Sequence, residues 1–249
     1  MPEYNNLLGV FGTSGTGKSY MVKWILKRYM KNRKRDYFLI IDDDVENVKE
    51  YKKMGFKVEE INQNILNKNI NFAQYLKTVK KLVLVDQGLI KGEVREFLNN
   101  LGYQIRQMKS TLLIIDEAHH FLKRGKYEPE QILRYQREGR KRGNDLIITT
   151  HRITDISTDF HNLLNSLIVF RLNNINAVKR VYHDFTEFDN YSDKLIDPEL
   201  TRSQKNKAKK LIKRYDTKQL IKKLPDRWFL YSDPRHAVQE ISTSKGLKV

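Results

Sequence analysis

The run Gly12-Thr13-Ser14-Gly15-Thr16-Gly17-Lys18-Ser19 constrains this chain more than any other stretch. It fits G-x-x-x-x-G-K-[ST]. The apolar residues Leu7–Phe11 before it read as a buried strand, and Tyr20–Met30 behind it read as a helix. A strand, a Gly-rich loop and a helix in that order turn successive backbone N–H groups toward one point. The helix dipole adds its positive end, which completes an anion cradle. In such a cradle Lys18 reaches the β- and γ-phosphates and the Ser19 hydroxyl holds Mg²⁺. The candidate nucleotide-binding residues are therefore Gly12, Thr13, Ser14, Gly15, Thr16, Gly17, Lys18, Ser19 and Tyr20. The expected ligands are ATP and Mg²⁺.

A second motif supplies the chemistry that a cradle lacks. Leu112-Leu113-Ile114-Ile115 is an apolar strand that runs into Asp116-Glu117, the Walker B pattern. Asp116 at the strand end can bind the water shell of Mg²⁺ opposite Ser19, and Glu117 can polarise a water for in-line attack on the γ-phosphorus. Ala118-His119-His120 follows, with one histidine expected near the γ-phosphate and the other facing solvent. Downstream, the strand Leu146–Thr150 ends in His151, so that Thr150 or His151 is placed to sense the γ-phosphate. Arg140, just before that strand, fits an arginine finger acting on a neighbouring subunit's nucleotide. Arg137, Arg140 and Arg142 fit a solvated basic face or a DNA-contacting patch as well.

The fold class follows from periodicity. Apolar, β-branched runs at Leu7–Phe11, Tyr37–Ile41, Leu82–Val85, Thr111–Ile115, Leu146–Thr150 and Ser166–Leu172 alternate with helical patterns. That alternation predicts an α/β fold, a mostly parallel sheet with helices on both faces. A further run, Trp228–Tyr231, is expected to close the sheet at an edge. Residues 45–75 predict a helix, a short strand and a loop. One domain over 1–249 is expected, since no repeat or low-complexity linker interrupts the chain.

Charge points to the partner. The 47 Lys+Arg against 30 Asp+Glu give a formal net charge of +17, which favours a polyanion. Between Thr201 and Lys223 ten basic residues face one acid, Asp216. Apolar spacing by Leu211, Ile212, Tyr215, Leu220 and Ile221 predicts one or two basic helices there, either DNA-contacting or a solvated face. The chain has no cysteine, which excludes disulfides, thiolate chemistry and a Cys-based zinc site. No apolar run approaches a membrane span and no secretory h-region opens the chain, so an intracellular protein is expected.

Asp-Glu-Ala-His and Gln136-Arg137-Glu138-Gly139-Arg140 invite comparison with superfamily-two helicases, but the spacing is wrong. Those enzymes carry the second motif in a second RecA-like domain, whereas here it follows Glu117 by about twenty residues. The ordered set of motifs instead resembles the HerA/FtsK superfamily of DNA-pumping ATPases. It comprises Gly12–Ser19, the extra strand Leu82–Asp86, Leu112–Leu122 and Glu138–Gly143 before Leu146–Arg152. Ser166–Leu172 and Leu-Pro-x-x-Trp-Phe-Leu at 224–230 complete it.

The resemblance implies a RecA-like (ASCE) core, assembly into a homo-oligomeric ring, usually a hexamer, and ATP-driven movement of double-stranded DNA. His151 departs from the family, which usually has Gln at that position. The cellular HerA barrel before the first strand is not expected here. The size of the core resembles the genome-packaging ATPases of membrane-containing viruses or a plasmid-encoded relative. A capsid or other recruiting protein would then be a partner, and the host cytoplasm or the virion the location. Two other readings are a Zot-like filamentous-virus assembly ATPase and a nucleotide-switched DNA-binding, initiator-type regulator.

Overall fold

The computed structural model describes residues 7–42, 44–62, 70–86, 89, 91–122, 129–189, 192–233 and 238–244. They form two compact units that interleave along the chain. The first takes the chain to Leu7, then Leu26–Thr149 and Asp155–Leu163; the second takes Leu8–Ile25, Thr150–Thr154 and the chain from Leu164 onward.

Five strands of the first unit pair in parallel: β2 (Tyr37–Asp42), β3 (Lys57–Ile61), β4 (Lys81–Asp86), β5 (Thr111–Ile115) and β6 (Asp145–Thr150). Their spatial order is β3-β4-β2-β5-β6. Parallel strands covered on both faces read as continuous apolar runs. Accordingly β5 and β6 are buried at every position, and β2 at every position but its first. Strand β3, with Lys57, Glu59 and Glu60, takes the edge and is largely polar, which blunts its unpaired backbone. Its helices are α2 (Val45–Lys53), α3 (Phe72–Val79), α4 (Lys91–Ile105), α5 (Glu130–Glu138) and α6 (Thr158–Leu163). The start of β5 is tied by Asn144, whose side chain accepts from the Thr111 N–H at 3.0 Å and donates to the Met108 carbonyl at 3.0 Å. Arg35 pairs with the buried Asp145 at 2.8 Å.

In the second unit β1 (Leu7–Phe11) runs parallel to β7 (Ser166–Phe170). Beyond β7 the direction reverses: β8 (Trp228–Asp233) is antiparallel to β7, and β9 (Val238–Thr243) is antiparallel to β8. The expected edge at Trp228–Tyr231 is therefore paired on both sides, and β9 lies outside it. Strand β9 escapes a sequence reading because Gln239, Glu240, Ser242 and Thr243 are polar, and β8 beside it completes its pairing.

The helix α1 (Lys18–Lys31) buries Met21, Val22, Ile25, Leu26 and Tyr29, the stripe expected from i, i+3, i+4 spacing. The basic segment folds as α8 (Arg202–Arg214) and α9 (Thr217–Lys223), after α7 (Ile175–Tyr182). A capping box between Thr201 and Gln204 starts α8, and Asp216 caps α9 through the Gln219 N–H. Residues 45–75 follow the predicted helix and short strand as α2 and β3, and 63–69 lie outside the described residues. The loop expected to run to Tyr75 instead gives way to α3, capped by Asn71 and anchored by buried Phe72 and Leu76.

Candidate active site

The phosphate-loop motif closes on itself. Thr16 Oγ1 donates to the Thr13 carbonyl at 2.7 Å, and Lys18 Nζ lies 3.4 Å from that same oxygen. Thr13 is held from the other side: its N–H and its hydroxyl both donate to the Arg171 carbonyl, at 2.9 and 3.0 Å. Arg171 in turn pairs with Asp226 at 2.8 Å. The Gly12 N–H donates to the Thr150 carbonyl. A Cβ at Gly12 would stand 2.7 Å from Phe170 Cβ and 2.8 Å from Thr16 Oγ1, so no larger residue fits. Gly17 has φ +113°, a conformation that side-chain-bearing residues rarely adopt. These features let Lys18, only 6% exposed, begin α1 directly from the loop. Ser19 and Tyr20 occupy the first turn and are half-buried.

The acidic strand end is assembled differently. The carboxylate of Asp116, 4% exposed, accepts from the Thr149 hydroxyl, from the Glu117 N–H at 3.2 Å and from Asn47 Nδ2 at 3.2 Å. Thr149 also receives the Glu117 N–H on its hydroxyl at 3.0 Å and the Ala118 N–H on its carbonyl at 2.7 Å. The Asp116 N–H donates to the Ile41 carbonyl at 2.9 Å. Asp42, at the end of the neighbouring strand β2, is buried as well. Burial pushes the Tyr51 hydroxyl well above its usual range, and the carboxylates of Asp42 and Asp116 push it further.

Two acids thus stand at adjacent strand ends, and the Asp116 carboxylate is held by three donors. Its hard carboxylate oxygens suit Mg²⁺. Glu117 has φ +40°, an uncommon backbone for a non-glycine residue that the bonds to Thr149 hold in place. His119 is buried with Nδ1 3.3 Å from Glu117 Oε2, while His120 is exposed. The expected division between the two histidines is met in burial.

The remaining candidates are less constrained. His151 is half-buried and its Nε2 accepts from Arg152 Nε at 3.2 Å. Arg140 lies on the 3₁₀ turn Gly139–Arg142, and its side chain lies outside the described residues. Its neighbours have partners: Arg142 donates to the Gln107 carbonyl at 3.3 Å, and Arg137 lies 4.0 Å from Asp159. Sequence reasoning missed Asn47, Thr149 and Asp42 around Asp116. The positions of Asp42 and Thr149 at strand ends were readable; their partnership with Asp116 was not.

Residues 3–149, more than half of the chain, match the family model described as AAA domain. Compared with curated proteins, the sequence finds no match. Among solved structures, the chain is similar to the genome packaging NTPase B204 of Sulfolobus turreted icosahedral virus 2. For the sulfate complex the TM-score is 0.63 at 19% identity, with 96% of each chain covered; for the ATP-gammaS complex it is 0.60 at 19% identity, with 98% of each covered. It is also similar to VirB4 of Thermoanaerobacter pseudethanolicus, with a TM-score of 0.59 at 11% identity, covering 99% of this chain and 92% of that one. No helix among the described residues is long and apolar enough to cross a membrane. The chain belongs to the AAA domain family as a P-loop ATPase, and its fold is RecA-like.

Proposed function

We propose that this ATPase is a motor that assembles into a ring and moves double-stranded DNA, in the manner of a genome-packaging enzyme. The observation that carries the reading is likeness over 96% of each chain to a genome packaging NTPase, in a chain with a formal net charge of +17. In this reading Lys18 and the loop amides hold the phosphates of ATP, and Ser19 and Asp116 are the oxygen donors for Mg²⁺. When bound, that ion neutralises charge building on the phosphate oxygens. Glu117 accepts a proton from the attacking water, and Thr149 and Asn47 hold the Asp116 carboxylate in its orientation. Thr150 or His151 responds to the γ-phosphate, and Arg140 completes the site of a neighbouring copy.

The exposed cations of α8 and α9 are candidates for contact with DNA phosphates, which would make binding sequence-independent and steeply salt-dependent. The test is steady-state ATP hydrolysis with and without linear double-stranded DNA, in wild type and in Glu117→Gln. Strong stimulation by DNA, lost in the variant, is expected. Slow turnover indifferent to DNA would sink the motor reading, and DNA affinity insensitive to salt would remove the phosphate-contact part.

A further inference from the structure

We infer that Arg227, whose guanidinium lies over the Tyr20 ring, is the platform on which the base of the bound nucleotide lies. Arg227 sits between α9 and β8 and has φ +67°, a left-handed conformation that a non-glycine residue holds only when its surroundings enforce it. The enforcement is visible. Its N–H donates to the Thr16 carbonyl of the phosphate loop at 3.2 Å. Its own carbonyl accepts from the Ser244 N–H at 2.7 Å, from Thr243 Oγ1 at 3.0 Å and from Ser244 Oγ at 3.2 Å. The backbone of Arg227 is thus bolted to the loop that receives the phosphates.

The side chain leaves this anchor along Gly17, where an added Cβ would come within 3.8 Å of Arg227 Cγ. It ends with the guanidinium carbon 5.5 Å from the centre of the Tyr20 ring. Tyr20 directly follows Ser19, on the side of the loop away from its Gly-rich start. The neighbouring acid is already taken, since Asp226 pairs with Arg171. Among the described residues no carboxylate pairs with Arg227, and its side chain is exposed.

A planar guanidinium beside an aromatic ring offers a weakly hydrated π-type face, the kind of surface on which nucleic-acid bases stack irrespective of sequence. Because the backbone is already fixed, little ordering remains to be done when the base arrives. The inference rests on the loop binding ATP, and it is independent of whether DNA is moved.

The experiment compares binding of ATP and of inorganic tripolyphosphate to the full chain by calorimetry, for wild type, Arg227→Ala, Arg227→Lys and Tyr20→Leu. Circular dichroism checks that each variant is folded. Arg227→Ala should weaken ATP by about tenfold to a hundredfold while leaving tripolyphosphate within roughly twofold. Arg227→Lys keeps the charge but not the flat face, and should lose nearly as much. Tyr20→Leu, on a different backbone, should lose ATP affinity as well. Equal losses for both ligands, rescue by lysine, or unchanged ATP affinity in Arg227→Ala would each overturn the assignment. A wild type that binds neither ligand would overturn the nucleotide reading of the loop and this inference with it. Normal ATP binding without a response to DNA would count against the motor alone.

Discussion

The phosphate loop and the acidic strand end, the two parts of the proposed site, are built by opposite means. The loop draws mostly on eight consecutive residues, and its internal bonds, from Thr16 and Lys18 to the Thr13 carbonyl, span three and five positions. In the proposed function its binding groups are mainly backbone amides, so it needs small residues and the right dihedral angles more than particular side chains. The acidic end joins Asp116 to Asn47, 69 positions away, and to Thr149, 33 positions away. Its geometry exists only because β2, β5 and β6 lie side by side. A local device can be recognised from a motif, whereas a network is visible only once the sheet has formed.

Substitutions can break this contrast. The largest effect is expected for Glu117→Gln: kcat for ATP hydrolysis should fall by about 10²–10⁴-fold, the span of general-base catalysis, with nucleotide binding retained. A variant that lost binding to the same extent would show that Glu117 supports the cradle rather than the water. Lys18→Ala should lower kcat/KM by about 10²–10³-fold, because a preorganised charge beside the transferring phosphoryl is gone. Its thermal stability should hardly move, since the loop's other bonds remain.

Thr149→Val sharpens the comparison, because it changes no residue of either motif. It removes one of the two acceptors of the Glu117 N–H and a donor to Asp116, so unfolding free energy should drop by about 1–2 kcal/mol. Hydrolysis should fall at the same time, by roughly tenfold. Calorimetry and steady-state kinetics on one preparation would check both. If hydrolysis were unchanged, the network would be structural only. Asn47→Ala removes a single donor and should cost about 1 kcal/mol, with a few-fold loss of kcat.

A pH titration of stability addresses a different part of the second unit. Burial raises the carboxyl of Asp184 from 3.8 to about 6, so the folded state holds its proton more tightly than the unfolded chain does. Stability should therefore fall as pH rises from about 4 to about 6, with the penalty complete above that range. With solvent screening the penalty is about 1–2 kcal/mol, and Asp184→Asn should remove it in urea unfolding curves at pH 7.

Much of this was legible in the amino-acid order. The strands at Leu7–Phe11 and Thr111–Ile115 form with the expected bounds, because a run that must be buried on both faces has to be apolar throughout. The helix behind the phosphate loop shows its stripe for the same reason: burial enforces a 3.6-residue period. The nucleotide motif is readable because its bonds are short in sequence. Helix α3 was missed because only Phe72 and Leu76 of its residues are buried, within a polar surround. Strand β9 was missed because a polar strand depends on its neighbour rather than on its own composition.

The tertiary structure alone decided that Thr149 and Asn47 hold Asp116, that Asp42 joins it beside Tyr51, and that Arg227 is clamped to the phosphate loop. Those pairings are set by which strands and turns lie adjacent. Adjacency between residues far apart in sequence is fixed by packing the whole core, and no local period or spacing records it.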